Sequence, residues 1–476
     1  MAPEPTRPAA GAASLPAPRF RNLDALAAHG QGDLRRLALE VAEAGLSACD
    51  AGHAALDAVA LTDDGIRVGA REFPLAEGSR VVLVGAGKAT FAVATALEAR
   101  LGERIDAGLI AVRHDPEAVP LGIEVEIADH PLPSERSAAV AARLLAMVEP
   151  LGPEDLVLAC FTGGSSALAS LPPAGVSVAD KRALHELLLA SGMPIAATNT
   201  VRKHVSRIKG GRLAAAAAPA RVVNLAISDV AGDVLDVLTD PSVQDTTTAA
   251  DARAVLDDYG LWEQVPESVR AHLRSAAAES PLLDPALVHT ELLVTGHGAC
   301  EAMIAAAATA GTPAVQLSTS LEGEARELGR LVANLARGSA TEGAPFAPPV
   351  VLVGCGGEAG VTLGPGAAFG TGGPNQDAAI AAALELEGAP VAAVLIDTDG
   401  SDGGTEWAGA VADGTTVARA RELGLDLRQA LFSHRSAEPL AALGDLVDTG
   451  ATGTNVNDLI VLAVGKAQAG TGARPA

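Results

Sequence analysis

Lys88 closes the segment Gly85–Ala86–Gly87–Lys88, and the chemistry open to it there is contact with an anion. Backbone N–H groups and the dipole at a helix N-terminus favour negative charge, and a lysine at that end repels the dipole unless an anion joins it. The segment is not a complete P-loop, since Val82 stands where its first glycine belongs and Ala89 where Ser or Thr belongs. Nor is it a dinucleotide fingerprint, because Thr90 takes the third glycine position. Phosphate or carboxylate contact by Lys88, with Gly87 beside it, is the expectation.

Four further segments carry polar residues of a useful kind. Thr162–Gly163–Gly164–Ser165–Ser166 offers hydroxyls and N–H groups that suit phosphate cradling, with Gly164, Ser165 and Ser166 as candidates. A nucleophilic serine competes without the GxSxG elbow, and so does a plain serine-capped turn. Arg202 to Arg212 places five cations in eleven residues of an acidic chain, which fits an anion-attracting wall, although charge runs are usually solvated faces. If that segment is helical, Arg202, Ser206 and Lys209 share a face. Arg202 and Lys209 are candidates for substrate or phosphate contact and Lys203 for catalysis, while His204 reads as an ordinary half-buried histidine. Carboxylates gather in Ser228–Asp229–Val230–Ala231–Gly232–Asp233 and in Asp397–Thr398–Asp399–Gly400–Ser401–Asp402. Such oxygen ligands in glycine loops suit Mg²⁺, which needs only one or two carboxylates beside phosphate oxygens. The Asx turn is the competing role for any one of them.

These segments follow apolar runs, so a repeating scaffold must hold them. Arg80–Val84, Gly108–Val112, Ile123–Ile127, Asp155–Phe161 and Arg221–Ile227 read as strands, and helical spacing fills the intervals, with Ser134 as a cap before Ser137–Val148. A second block alternates in the same way: Val350–Val353, a glycine loop, helix Asp377–Leu386, and strand Val391–Asp397. The expected fold is α/β: two α/β domains with mainly parallel sheets and an active-site cleft between them, ligands lying beyond the carboxyl ends of strands. Residues 1–19 read as a flexible tail, 20–336 as an N-terminal Rossmann-like domain, 337–349 as a linker and 350–470 as a C-terminal domain.

Composition narrows the class. Lys+Arg 34 against Asp+Glu 58 gives a net charge of −24, which disfavours nucleic acid and anionic membrane as partners. Aromatic residues are 2%, so the cores are built from Ala, Val and Leu. The four cysteines lie far apart without a CxxC pair, which predicts buried thiols, neither zinc nor a disulfide framework, and a cytoplasmic setting. No stretch of about eighteen apolar residues is present to span a membrane.

Taken together the motifs resemble the glycerate 2-kinase family, whose C-terminal part is called the MOFRL domain and whose members are often labelled hydroxypyruvate reductases. The resemblance runs from about Leu34 to Val464 on Gly85–Ala89, His130–Pro131–Leu132–Pro133, Val201–Leu213 and Ser228–Asp233. It continues through Gly323–Glu324–Ala325, Gly357–Glu358, Asn375–Gln376, Asp399–Gly403 and Thr452–Asp458. It implies ATP-dependent phosphorylation of the 2-hydroxyl of D-glycerate or a related small hydroxy-acid, with Lys88, Asp229 and Lys203 catalytic and Mg²⁺ on Asp229 and Asp233. It further implies acceptor or phosphate contacts from Asn375 and Gln376 and nucleotide contacts from Gly356, Gly357, Glu358, Asp399, Thr454 and Asn455; a homodimer is the default assembly only because twofold pairs are the commonest oligomers.

The active-site loops depart from that pattern. The family's Gly-Gly-Arg-Asn-Gln-Glu is Gly372–Gly373–Pro374–Asn375–Gln376–Asp377 here, so proline replaces an arginine thought to be catalytic. Ser-Gly-Pro-Thr becomes Thr239–Asp240–Pro241–Ser242. The alternatives to a kinase are a different enzyme on the same scaffold, including a hydroxypyruvate-reductase-like one, and a silent paralogue. Thr90 at the third glycine position argues against NAD binding, and the retained Lys88, Lys203, Asp229, Asp233, Asn375 and Asp399 argue against silence.

Overall fold

A computed structural model describes residues 19–114, 122–228, 235–363 and 369–467. In chain order, β1 (Val59–Leu61), β2 (Gly65–Val68) and β3 (Arg71–Pro74) form a small antiparallel sheet. The next six strands are β4 (Val81–Ala86), β5 (Ala107–Val112), β6 (Glu124–Ile127), β7 (Leu156–Phe161), β8 (Arg221–Ile227) and β9 (Val288–Val294). They pair in the order β6-β5-β4-β7-β8-β9, every pair parallel. All residues of β4 and β7 are buried, as expected of strands covered by helices on both faces. The strand order reverses between β4 and β7, which makes their carboxyl ends the switch point where open α/β sheets bind ligands.

A second sheet takes β10 (Ala314–Ser318), β12 (Val350–Cys355), β14 (Val391–Asp397), β15 (Gly409–Asp413), β16 (Leu446–Val447) and β17 (Asp458–Val464), in the order β10-β12-β17-β14-β15-β16. The short strands β11 (Gly323–Glu324) and β13 (Ala359–Gly360) pair beside it. The two α/β units are as expected, but strand direction differs between them. In the second sheet only β10–β12 is parallel, and the other four pairs are antiparallel. Alternation of strands and helices fixes layering, whereas direction depends on which edge each returning strand joins, and β17 returns into the middle.

The stretch 337–349 is not the expected linker. Its first residues finish the helix Ala325–Glu342, and β10, which precedes that helix, already belongs to the second sheet. Helix Gly32–Ala48 also crosses over, packing on β14, β17 and helix Gly296–Thr309. It buries Leu39 and Leu46, each worth about 1.5–3 kcal/mol relative to exposure. One core therefore runs from Leu83 and Leu158 of the first sheet through Leu39 and Met303 to Val353 and Val461 of the second.

Between β7 and β9 lies a helical cap, built from Val178–Ala190, Ile195–His204, Ala249–Asp258 and Glu267–Leu273 around Leu184, Val201, Leu256 and Leu273. Ser134 caps the helix Glu135–Val148 as predicted, accepting from the N–H groups of Arg136 and Ser137. The four cysteines are buried thiols. No helix among the described residues is long and apolar enough to cross a membrane.

Candidate active site

At the carboxyl end of β4 the chain turns sharply so that helix Thr90–Leu101 can return across the sheet. Gly87 sits at φ +142° against β7, and a Cβ there would lie 2.1 Å from Thr162 Oγ1. Only glycine lets the two loops close. They are then stitched by Lys88 N–H donating to Gly163 O (2.9 Å) and Ala89 N–H donating to Thr162 Oγ1 (3.1 Å). The two candidate loops of the first sheet are thus one structure at the switch point.

Above them lies a cleft of about 360 Å³ lined by all three parts of the molecule. The first sheet contributes Lys88, His130 and the loop Thr162–Ser166 with its short helix Ser165–Leu168, the cap contributes His185, Asn199 and Arg202, and the second unit contributes Glu358, Asn455 and Asn457. Across it Lys88 Nζ donates to Asp399 Oδ2 at 2.6 Å, joining the end of β4 to the loop after β14. Burial opposes the Lys88 charge, but the adjacent Asp399, with Asp397 and Glu358 farther off, holds the ammonium above its ordinary pKa. His130 behaves oppositely: burial, then Lys88, push it down to about 4, so it is a neutral hydrogen-bonding group at pH 7.

The second unit presents a concentrated negative field. Burial, followed by the charges of Asp399 and Asp458, drives the Asp397 carboxyl well above its usual range, and burial raises Glu358 against the pull of Lys88. Mg²⁺ on nucleotide phosphates takes one or two carboxylates and keeps waters elsewhere. Glu358 in the cleft and Asp399 at its edge fit that demand. Among the described residues no group of three or more His, Cys, Asp or Glu side chains is placed to hold a metal by itself.

This arrangement has known counterparts. Residues 37–274 match the model of a domain of unknown function (DUF4147), and residues 350–458 match the MOFRL family. A glycerate 2-kinase of Pyrococcus horikoshii is 39% identical over 438 residues, spanning 91% of this chain and 98% of that protein. The chain belongs to the glycerate 2-kinase family. A D-glycerate 2-kinase of Thermotoga maritima is 38% identical over 389 residues, 80% of this chain and 90% of its own. The crystal structure of a glycerate kinase from Thermotoga maritima matches with a TM-score of 0.77 at 35% identity, over 91% of this chain and 99% of that one.

In this glycerate 2-kinase family member the expected site residues divide into three groups. Lys88, Gly164, Ser165, Ser166, Arg202, Glu358 and Asn455 meet in the cleft, with Gly87 and Asp399 at its edge. A second group is buried in the scaffold. Lys203 Nζ pairs with Asp245 Oδ1 at 2.6 Å, both side chains almost wholly buried, and does not line the cleft. Asn375 donates to Asp458 Oδ1 (2.6 Å) and Gln376 to Thr405 Oγ1 (2.9 Å), holding the start of helix Pro374–Leu386 rather than facing the cleft. Thr454 is buried apart from the cleft, and Gly356 and Gly357 let their turn pass close to other backbone: a Cβ on Gly356 would lie 2.0 Å from Thr319 O. Asp229 and Asp233 form the third group and lie outside the described residues.

The basic segment is also arranged differently from the shared helical face. The helix ends at His204, so Ser206 and Lys209 lie in the turn beyond, where Ser206 Oγ accepts from the N–H groups of Ile208 and Lys209 (both 3.2 Å). Arg212 is spent on the carbonyls of Lys203, Lys209, Ala278 and Glu279. The cleft residues His130, His185, Asn199, Thr239 and Asn457 were not singled out as site residues. His130 had a signal, since it closely follows β6 on the same sheet edge as Lys88. His185 and Asn199 had none, for nothing in a helical pattern says which helix will fold over a cleft.

Proposed function

We propose that the protein is an ATP- and Mg²⁺-dependent kinase that phosphorylates the 2-hydroxyl of D-glycerate or a closely related small hydroxy-acid. The observation that carries this reading is Lys88, a charged lysine at the switch point of a parallel sheet, facing the Thr162–Ser166 loop and paired, among the described residues, with a carboxylate of the opposite unit. Phosphoryl transfer asks for cations beside the phosphoryl oxygens and a cleft that aligns hydroxyl and phosphate. Lys88 supplies the cation once phosphate oxygens compete with Asp399 for it. The hydroxyls and amides of Gly164, Ser165 and Ser166 cradle the transferring group. Glu358 and Asn455 place the nucleotide on the side of the second unit. Glu358 or Asp399, with Asp229 and Asp233, are the carboxylates that would hold Mg²⁺, which would supply charge neutralisation on the phosphates.

A reductase role finds less support. A protein of Agrobacterium vitis whose name assigns it provisionally to hydroxypyruvate reduction is 42% identical over 411 residues. In this chain, however, the third glycine position of the β4 turn is Thr90, whose hydroxyl donates to Cys160 O at 3.2 Å within the sheet.

The test is an assay of the purified protein with ATP, Mg²⁺ and D-glycerate, following ADP release and identifying the product by NMR. Turnover of about 1–100 s⁻¹ giving 2-phosphoglycerate, abolished in Lys88→Ala, is the expected result. ADP release no faster than in Lys88→Ala would overturn the reading.

A further inference from the structure

Behind the inner wall of the cleft the described residues bury more basic side-chain donors than they satisfy. Arg202 lines the cleft, is largely buried, and makes one side-chain hydrogen bond, Nη1 to Asn199 Oδ1 at 3.3 Å; its Nε finds no partner. Lys209 is 1% exposed, and its Nζ has no hydrogen-bond partner at all. Lys181, also buried, spends its ammonium on the carbonyl of Val205. His185 faces the same group of cations. Among the described residues the carboxylate beside them is Asp240, which also lines the cleft and already accepts from Ser242 N–H (2.6 Å), Ser242 Oγ (2.7 Å) and Asn224 Nδ2 (3.2 Å). Among the described residues neither Arg202 nor Lys209 forms an ion pair. Burying unspent donors costs free energy that a folded protein recovers only where something else completes them.

We infer that Arg202, backed by Lys209, is the subsite that receives the carboxylate of the acceptor, and that acceptor binding brings a proton onto Lys209. The inference rests on the kinase reading above and adds the means by which this cleft selects an acid over a neutral alcohol. A planar guanidinium with unspent donors matches a carboxylate in two-point geometry. The second half follows from charge. Burial first, then the neighbouring Lys181 and Arg202, hold the Lys209 amine far below its ordinary pKa against the opposing pull of Asp240. A bound carboxylate adds the missing counter-charge and favours the protonated form. No bond is made or broken, and the proton comes from solvent.

Three measurements on the full chain test this. D-glycerate is compared with its neutral amide, D-glyceramide, as acceptor in wild type, Arg202→Gln and Arg202→Lys, with KM for ATP read in parallel. Arg202→Gln is expected to raise KM for glycerate roughly 10- to 100-fold and to erase its advantage over the amide, with Arg202→Lys recovering part of it. Glycerate binding is then followed by calorimetry in two buffers of different ionisation enthalpy, which counts protons taken up. Wild type should take up a proton on binding glycerate and Lys209→Met should not, although Lys209→Met should melt no lower, having lost only an unpaired buried amine. An unchanged preference for the acid in Arg202→Gln, a rise confined to KM for ATP, or equal proton uptake in Lys209→Met would each overturn the inference. If the kinase reading itself fails and no ADP forms, the calorimetry still decides: glycerate bound by wild type and not by Arg202→Gln sustains the subsite, and equal binding sinks it.

Discussion

Two lysines singled out for chemistry behave differently once their surroundings are known. Lys88 is partly open to the cleft and its partner Asp399 belongs to the other sheet, so the pair can exchange for a ligand. Lys203 is buried with Asp245, which also accepts from Thr247 and Ser280, and neither lines the cleft. Removing one member of a buried pair strands the other, at about 3–5 kcal/mol. Lys203→Met is therefore expected to lower stability by that amount in urea unfolding. Lys88→Met should unfold near the wild-type midpoint while turnover falls about 10²- to 10³-fold or more. Equal loss of stability in both variants would contradict this division. Sequence alone could not separate them, because each is a lysine near the end of an element, and only the identity of the partner distinguishes a catalyst from a strut.

At the scale of elements, the helix Pro374–Leu386 shows how a loop that reads as functional can be structural. Pro374 occupies its first turn, where a missing N–H costs nothing. Asp402 from the loop after β14 caps it, accepting from the N–H groups of Asn375 and Gln376, both at 2.9 Å. Burial pushes both Asp402 and its neighbour Asp458 up to about 7. An ordinary aspartate in the unfolded chain titrates near ~4, so between about pH 4 and 7 the folded state holds more protons at these two sites. Their contribution to stability therefore falls as pH rises through that window and is level above it. Buried histidines such as His130 and His185, with depressed values, work in the opposite sense as pH drops below ~6.5, so the useful quantity is a difference. Asp402→Asn should gain melting temperature relative to wild type from pH 5 to pH 8, and a difference independent of pH would refute the buried-carboxyl account.

Across the whole molecule, the two family models divide the sequence at places where the fold does not divide. Helix Gly32–Ala48 comes before the first sheet in the chain and packs on the second. From it the fully buried Arg35 reaches Asp413 of β15 and, at 2.7 Å, Asp445. A fragment of residues 350–467 would expose the apolar face of β14 and β17 and leave both carboxylates without that arginine. It is expected to be unfolded or molten by NMR, and addition of residues 19–48 with 296–349 should restore dispersed signals. A well-folded 350–467 fragment would show that this helix is an accessory.

The sequence by itself determined the α/β class, strands β4 to β8 of the first sheet with β12 and β14 of the second, the cap at Ser134, the buried thiols and the residues of the β4 and β7 turns, since these depend on local periodicity and on backbone rules for glycine and serine. It determined that Lys88 and the Thr162–Ser166 loop stand after buried strands, and hence on a ligand-binding edge. Tertiary structure alone decided that Asp399 faces Lys88, that Lys203, Asn375 and Gln376 are bonded within the scaffold, that the second sheet runs largely antiparallel, and that among the described residues Arg202 and Lys209 form no ion pair. Those are facts about neighbours far apart in the chain: a side chain's role follows from the charge and space around it, which come from residues hundreds of positions away.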